Sequence, residues 1–163
     1  MPDNLEIERN FWKALRSDMT VMSGVSGSHD VTPRPTTAQI DGDADQGPIW
    51  FFTSKDSSLA KSVMSQQPSY FNFVAKGHNV WASVSGRLVV STDRAVIDRL
   101  WNSVIAAWYG GGKDDPNLCL MRLDPKDTEI WPYGSSLLSG LNILLGSDPK
   151  EEHVGLTAKV SLV

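Results

Sequence analysis

The run from Val80 to Val90 constrains this chain more than any other stretch. Val80, Ala82, Val84, Gly86, Leu88 and Val90 alternate with Trp81, Ser83, Ser85 and Arg87. Successive side chains of a strand point to opposite faces, so this alternation predicts one long strand with a single apolar face. Gly86 within it marks a bulge or a bend.

Other segments supply partners for that strand. Met19 to Val25 is small and β-branched. Arg34 to Ile40 is extended, because Pro35 biases its predecessor away from helix and β-favouring threonines follow. On a strand, Arg34, Thr36 and Ala38 share one face and Pro35, Thr37 and Gln39 the other. Ile49 to Phe52, Tyr70 to Val74, Leu118 to Leu123 and Thr128 to Trp131 are further strands, with Pro125 interrupting the last two. Asp3 to Arg16 is a helix with Ile7, Phe11, Trp12 and Leu15 on one face, opened by a capping box of Asp3 and Glu6. A second long helix is capped by Thr92 or Ser91. It carries Val96, Ile97, Leu100, Trp101, Val104, Ile105 and Trp108, a face wide enough to cover an open barrel end. Leu137, Leu138, Leu141, Leu144 and Leu145 have helical spacing, and Val154 to Leu162 alternates as a final strand. Six strands against a few helices predict a mainly β fold, a barrel rather than a parallel sheet. At 163 residues the chain reads as one domain over 1–163.

A net charge of −4 gives no basic footprint, which argues against nucleic acid or an anionic membrane as the main partner. The single cysteine, Cys119, cannot form an internal disulfide and lies in an apolar run, so it reads as core. The N-terminal stretch lacks the basic start and apolar core of a signal peptide, and no apolar run reaches membrane-spanning length. A soluble cytoplasmic protein is the expectation.

Chemistry concentrates where Ile49-Trp50-Phe51-Phe52 gives way to Thr53-Ser54-Lys55-Asp56-Ser57-Ser58-Leu59-Ala60-Lys61. This is a strand, a polar corner and a helix start, with Asp56 or Ser57 as the cap. Free amides and hydroxyls there, with Lys61 one turn on, can hold a phosphate. A capped helix with a solvated lysine is the plainer use of such a corner. Three other attractions fail. Gly110-Gly111-Gly112-Lys113 follows a helix instead of a strand, with no glycine five positions before Gly112, so it is not a phosphate loop. The acids between Asp41 and Asp45 lack the length and closing glutamate of a calcium loop. His29, His78 and His153 have no metal-ligand spacing. Paired carboxylates and a Ser/His/Asp set are also missing, so no catalytic residue is assigned. The site reads as the holder of a group that brings its own chemistry.

Five motifs in order carry a resemblance: Arg34-Pro35; Trp50-Phe51-Phe52-Thr53-Ser54-Lys55-Asp56-Ser57; Val84-Ser85-Gly86-Arg87-Leu88; Trp108-Tyr109-Gly110-Gly111-Gly112-Lys113-Asp114-Asp115-Pro116; and Glu129-Ile130-Trp131. Together they resemble the general stress protein 26 branch of the pyridoxamine 5′-phosphate oxidase-like, FMN-binding split-barrel family. The resemblance implies a six-stranded antiparallel split barrel with flanking helices, forming a homodimer with FMN, or FAD, in grooves at the interface. It places Arg34 against the flavin phosphate, Thr37 to Gln39 beside the isoalloxazine, and Phe52, Thr53 and Ser54 at the end of the third strand. Trp131 is implied to reach the cofactor.

Two departures stand out. Relatives carry a basic pair at the helix start, where this chain has Ser58 and Leu59. Lys61 is the substitute, with lower phosphate affinity or a phosphate site built from hydroxyls and amides, Ser57 and Ser58 among them. True pyridoxamine phosphate oxidases follow Glu-x-Trp with an Arg-x-His-x-Arg segment, whereas Pro132-Tyr133-Gly134-Ser135-Ser136 has no arginine. A phosphorylated vitamin needs such cations. The implied function is therefore that of a flavin-binding stress protein, either an oxidoreductase with another substrate or a protein that stores or senses flavin without turnover.

Overall fold

The structure, a computed structural model, describes residues 3–63, 67–132 and 158–162. In chain order it contains α1 (Asn4–Asp18), β1 (Thr20–Val25), β2 (Arg34–Thr37), β3 (Gln39–Ile40), β4 (Ile49–Ser54), α2 (Ser58–Ser62), β5 (Gln67–Val74) and β6 (Val80–Ser91). There follow α3 (Arg94–Leu100), α4 (Ser103–Ala106), a 3₁₀ turn (Gly112–Asp114), β7 (Leu118–Pro132) and β8 (Ala158–Ser161). The strands form one antiparallel sheet in the order β2-β1-β5-β6-β7-β4-β3, with β8 paired to β7.

The two ends of that order are consecutive in the chain. β2 pairs with β1 and β3 pairs with β4, so the run 34–40 belongs to both edges and the sheet curls back on itself. The single extended segment expected there is cut at Ala38, whose N–H donates to the Met19 carbonyl at 2.7 Å. Ala38 and Gln39 are both buried. Two adjacent buried residues break strand alternation, so the chain turns a corner there, and the small alanine fits it. Counting 34–40 once, six strands make the split barrel, and β8 adds a short edge. Of the final strand expected from Val154 to Leu162, β8 is Ala158–Ser161, and residues 154–157 lie outside the described residues. The C-terminal helix expected around Leu137 to Leu145 lies outside the described residues.

β6 carries the expected alternation, with Val80, Ala82, Val84 and Leu88 buried. Val90 is 49% exposed, because the interior core ends at Leu88 on this strand. The register shifts between Val84 and Gly86, and Gly86 stands opposite Pro125. Pro125 was expected to divide two strands, yet β7 runs unbroken from Leu118 to Pro132. A proline lacks the N–H that a ladder needs, and here the missing donor falls at the bulge, where pairing is already interrupted.

One core fills the barrel and a smaller one lies outside it. α1 seals the first with Ile7, Phe11, Trp12 and Leu15. Phe11 meets Phe73 edge-on at 6.2 Å, and each large side chain so buried contributes about 1.5–3 kcal/mol. The second core joins Trp50, Leu120 and Val96, with Phe52, Ile97 and Leu100 against it. Ile49, Trp50 and Phe51 are therefore all buried, since β4 is covered on both faces: Ile49 and Phe51 look into the barrel and Trp50 looks toward α3.

The second long helix expected from Val96 to Trp108 is two short ones. Trp101 is extended (φ −62°, ψ 132°) and Asn102 restarts the helix, its Oδ1 accepting from the N–H groups of Val104 (2.9 Å) and Ile105 (3.0 Å). α3 is capped by Asp93, not by Thr92 or Ser91. Ser91 Oγ instead accepts from the Asp93 N–H at 3.2 Å. The break redirects the chain from the outer face of β4 toward the end of that strand.

Candidate functional site

That redirection builds a cleft of about 490 Å³ between the barrel and α4. Its barrel side is Pro35, Thr36 and Thr37 of β2, Gln39 of β3, and Phe52, Thr53 and Ser54 of β4. The opposing side is Val104 and Ile105 of α4, then Trp108 and Tyr109, with Asn117 closing the corner. The closure of the sheet at Ala38 brings β2 and β3 beside the end of β4. Neither strand pairing nor helix alone would assemble these residues.

Five of the ten residues expected at the site line the cleft together: Thr37, Gln39, Phe52, Thr53 and Ser54. Ser57 stands behind them. Its Oγ caps α2 by accepting from the Ala60 N–H at 3.0 Å, and Thr53 Oγ1 bonds to the same oxygen at 3.0 Å. Ser58 Oγ is buried without a hydrogen-bond partner among the described residues. Arg34 directly precedes the lining residue Pro35, while Lys61 sits on α2. Both are exposed, and neither is in an ion pair among the described residues. Trp131 lies near the opposite end of β7 from Asn117, directly across from Trp81.

The far side of the cleft was missed by reading the sequence for a site. Trp108 is 81% exposed at the mouth, and a bare tryptophan beside Tyr109 and three glycines is the signal that could have found it. Behind the mouth, Tyr109 faces Trp101 at 6.5 Å and Trp101 meets Phe52 at 6.2 Å, a series of rings that ties the helical wall to β4. Burial pushes the Tyr109 phenol up, with Cys119 and Asp115 adding to it, so the hydroxyl stays protonated at neutral pH. Cys119 is buried and its thiol is raised by that burial, in keeping with a core cysteine.

The lining is mixed in a particular way. Hydroxyls of Thr36, Thr37, Thr53 and Ser54 and amides of Gln39 and Asn117 give neutral donors and acceptors, while Phe52, Trp108 and Tyr109 give flat apolar surface. Among the described residues, no lysine, arginine, carboxylate, imidazole or thiol lines it. Such a cleft suits a planar ring with polar edges and a hydroxylated tail. Among the described residues no group of His, Cys, Asp and Glu is arranged to hold a metal, and no helix is long and apolar enough to cross a membrane.

Comparison with known proteins matches residues 6–150 to the family described as pyridoxamine 5′-phosphate oxidase like. The general stress FMN/FAD binding protein of Xanthomonas citri is 52% identical, with 81% of this chain and 92% of that one covered and a TM-score of 0.76. A structure assigned to general stress protein 26 of Jannaschia sp. CCS1 is 32% identical over 98% of this chain and 99% of the other, with a TM-score of 0.81. General stress protein 26 of Bacillus subtilis is 29% identical over 89 residues, which are 53% of this chain and 63% of that protein. The chain spans less than two thirds of the length of the curated relatives it matches.

Proposed function

The chain belongs to the pyridoxamine 5′-phosphate oxidase-like family, and from that premise we propose that it is a cytoplasmic, FMN-binding general stress protein whose flavin lies in the cleft between β2–β4 and α4. The observation that carries this reading is the pairing of neutral polar groups with flat apolar ones in a single cleft. Gln39, Thr37, Thr53 and Asn117 answer the heteroatom edge and the polyol of a flavin, and Phe52, Tyr109 and Trp108 answer its ring. The Xanthomonas citri relative, which bears the name FMN/FAD binding protein, supports the choice of group. The hydroxyl of Ser58, without a hydrogen-bond partner among the described residues and next in the chain to the Thr53–Ser57 pair, is a donor with capacity left for a phosphate oxygen.

Flavin supplies two-electron redox chemistry when bound. The protein's part is to hold the ring edge through Gln39, to keep a neutral Tyr109 hydroxyl nearby as a donor, and to exclude water with Phe52 and Trp108. On this reading the protein is a flavin-dependent oxidoreductase. The lining favours a second reading equally concretely: with no acid, base or thiol among the described residues that line it, the cleft can serve storage or sensing of flavin without turnover. Pyridoxamine 5′-phosphate is a poor candidate substrate, since the segment Pro132-Tyr133-Gly134-Ser135-Ser136 that follows Trp131 has none of the arginines that would clamp its phosphate.

Trp131 enters this scheme through a second copy of the chain. From Leu118 to Trp131 is on the order of 40 Å of strand, so Trp131 is far along β7 from its own cleft. It shares a face with Trp81, which is 42% exposed, and Val74 stands opposite Trp81 on the next strand. A homodimer formed on that face would let Trp131 approach the other copy's flavin.

The test is mass spectrometry of the small molecule released on denaturing the purified protein, followed by titration of the flavin-free protein with FMN and FAD. FMN release and tight FMN binding are expected. Protein that carries no flavin and does not bind added FMN would end the proposal. Stopped-flow reduction of the flavin by NADH or NADPH then separates an oxidoreductase from a storage protein.

A further inference from the structure

The Gly110-Gly111-Gly112-Lys113-Asp114-Asp115-Pro116 run plays no part in the function proposed so far, yet it joins the two sides of the cleft. Trp108 and Tyr109 precede it on the helical side, and Asn117 follows it beside β4. The Asp115 carboxylate spans the loop. Oδ2 accepts from the Gly111 N–H at 3.0 Å and Oδ1 from the Asn117 N–H at 2.9 Å. The Asn117 side-chain amide donates to Ser54 Oγ, and the Asn117 backbone carbonyl accepts from the Lys55 N–H at 2.9 Å. On the other side the Gly112 N–H donates to the Tyr109 carbonyl at 3.0 Å. A Cβ on Gly111 would stand 2.9 Å from Asp115 Cα, so the glycine is what lets the carboxylate fold across.

We propose that Asp115 is a positioning residue for the flavin cleft, a clasp that sets the Trp108–Tyr109 wall at a fixed distance from Ser54 and Thr53. The assignment rests on the flavin reading above. The clasp works because a carboxylate accepting two backbone N–H groups fixes both ends of the loop at once, where one neutral acceptor fixes a single end. Its neighbours point elsewhere. Asp114 pairs with Arg94 at 2.5 Å, and Lys113 pairs with Asp98 at 2.9 Å. These two pairs hold the outside of the loop to α3 and leave the inner connection to Asp115. The carboxyl is held below the usual range by its bonds to Asn117 and Gly111, so the clasp is charged at neutral pH.

The experiment compares Asp115→Ala, Asp115→Asn and Asp114→Ala with wild type. In flavin-free protein, amide hydrogen exchange at Gly111 and Asn117 is expected to lose protection in Asp115→Ala while the amides of β5 and β6 keep theirs. FMN affinity should fall by about tenfold or more, the scale of one charged hydrogen bond. The circular dichroism of bound flavin should change with it. Asp115→Asn keeps one acceptor, can retain the bond to Asn117 and lose the one to Gly111, and should fall between Asp115→Ala and wild type. Asp114→Ala should bind FMN like wild type. An Asp115→Ala protein that binds FMN with wild-type affinity and an unchanged flavin spectrum overturns the clasp, as does Asp114→Ala weakening FMN by the same factor. If Asp115→Ala does not fold, wild-type behaviour of Asp115→Asn in both exchange and titration overturns it. Wild-type protein that does not bind FMN sinks the flavin reading itself, an outcome visible before any variant is measured.

Discussion

A Cβ added to Gly86 would stand 2.2 Å from the carbonyl oxygen of Asp124 on the neighbouring strand. The close approach occurs at the bulge where Gly86 faces Pro125, and it lets β6 and β7 bend together around the barrel. Because the obstructing atom is backbone, no side chain can swing aside.

Gly86→Ala is accordingly expected to destabilise the protein by about 1–3 kcal/mol, the range for forcing extra volume into a packed site. Urea unfolding would show a lower midpoint with an unchanged slope. A midpoint equal to wild type would mean that the two strands separate there without cost. The converse change at Gly110, where a Cβ meets nothing within 4 Å, should be far milder.

Asn102→Ala removes the cap that restarts the helical wall. A lost cap costs about 1 kcal/mol, and α4 carries Val104 and Ile105 into the cleft. Both melting temperature and FMN affinity should drop. Loss of stability with wild-type flavin binding would show that the wall does not depend on its cap.

Arg34 directly precedes Pro35 of the lining, and it is exposed. If it reaches the flavin phosphate, Arg34→Ala should weaken FMN by about 1.5–3 kcal/mol, the worth of a charged hydrogen bond. Riboflavin, which has no phosphate, should be unaffected. Lys61→Ala should lose less. Equal FMN affinities for wild type and both variants would leave the phosphate to hydroxyls and amides, Ser58 among them.

Acid should loosen the segments that frame the cleft before the barrel yields. Asp41 is held below the ordinary carboxylate range by its bidentate contact with Arg99 (3.1 and 2.7 Å). Asp98 is lowered by Lys113, and Asp115 by the amides of Asn117 and Gly111. A carboxylate depressed in the folded state contributes stability that is complete above its unfolded pKa, about 3.9. That stability is lost as pH falls from there through the folded value. Melting temperature should therefore hold steady from neutral pH to about pH 5 and decline below about pH 4. Asp41→Asn should flatten part of that decline. A decline centred between pH 6 and 7 would point to histidines and contradict the assignment.

The sequence by itself determined whatever depends on near neighbours in the chain. The alternation of Val80 to Leu88 specified a half-buried strand, Ile7, Phe11, Trp12 and Leu15 specified the sealing face of α1, and the ordered motifs from Arg34 to Trp131 specified the family. It also brought forward Thr53 and Ser54, because a strand end that turns polar is visible locally, while Thr37, Gln39 and Phe52 came with the family resemblance. What only the tertiary structure decided depends on contacts across long stretches of chain. Pro35 and Gln39 line one cleft with Phe52 because the sheet closes at Ala38, a corner with no local signature beyond a small residue. Pro125 continues a strand because Gly86, on another strand, already breaks the ladder opposite it. The stripe from Val96 to Trp108 is apolar enough for one helix, but packing of Trp101 against Phe52 and capping by Asn102 divide it and turn Trp108 and Tyr109 into the cleft. Periodicity reports which side of an element is buried. It does not report against what, and the wall of this cleft is made by that second fact.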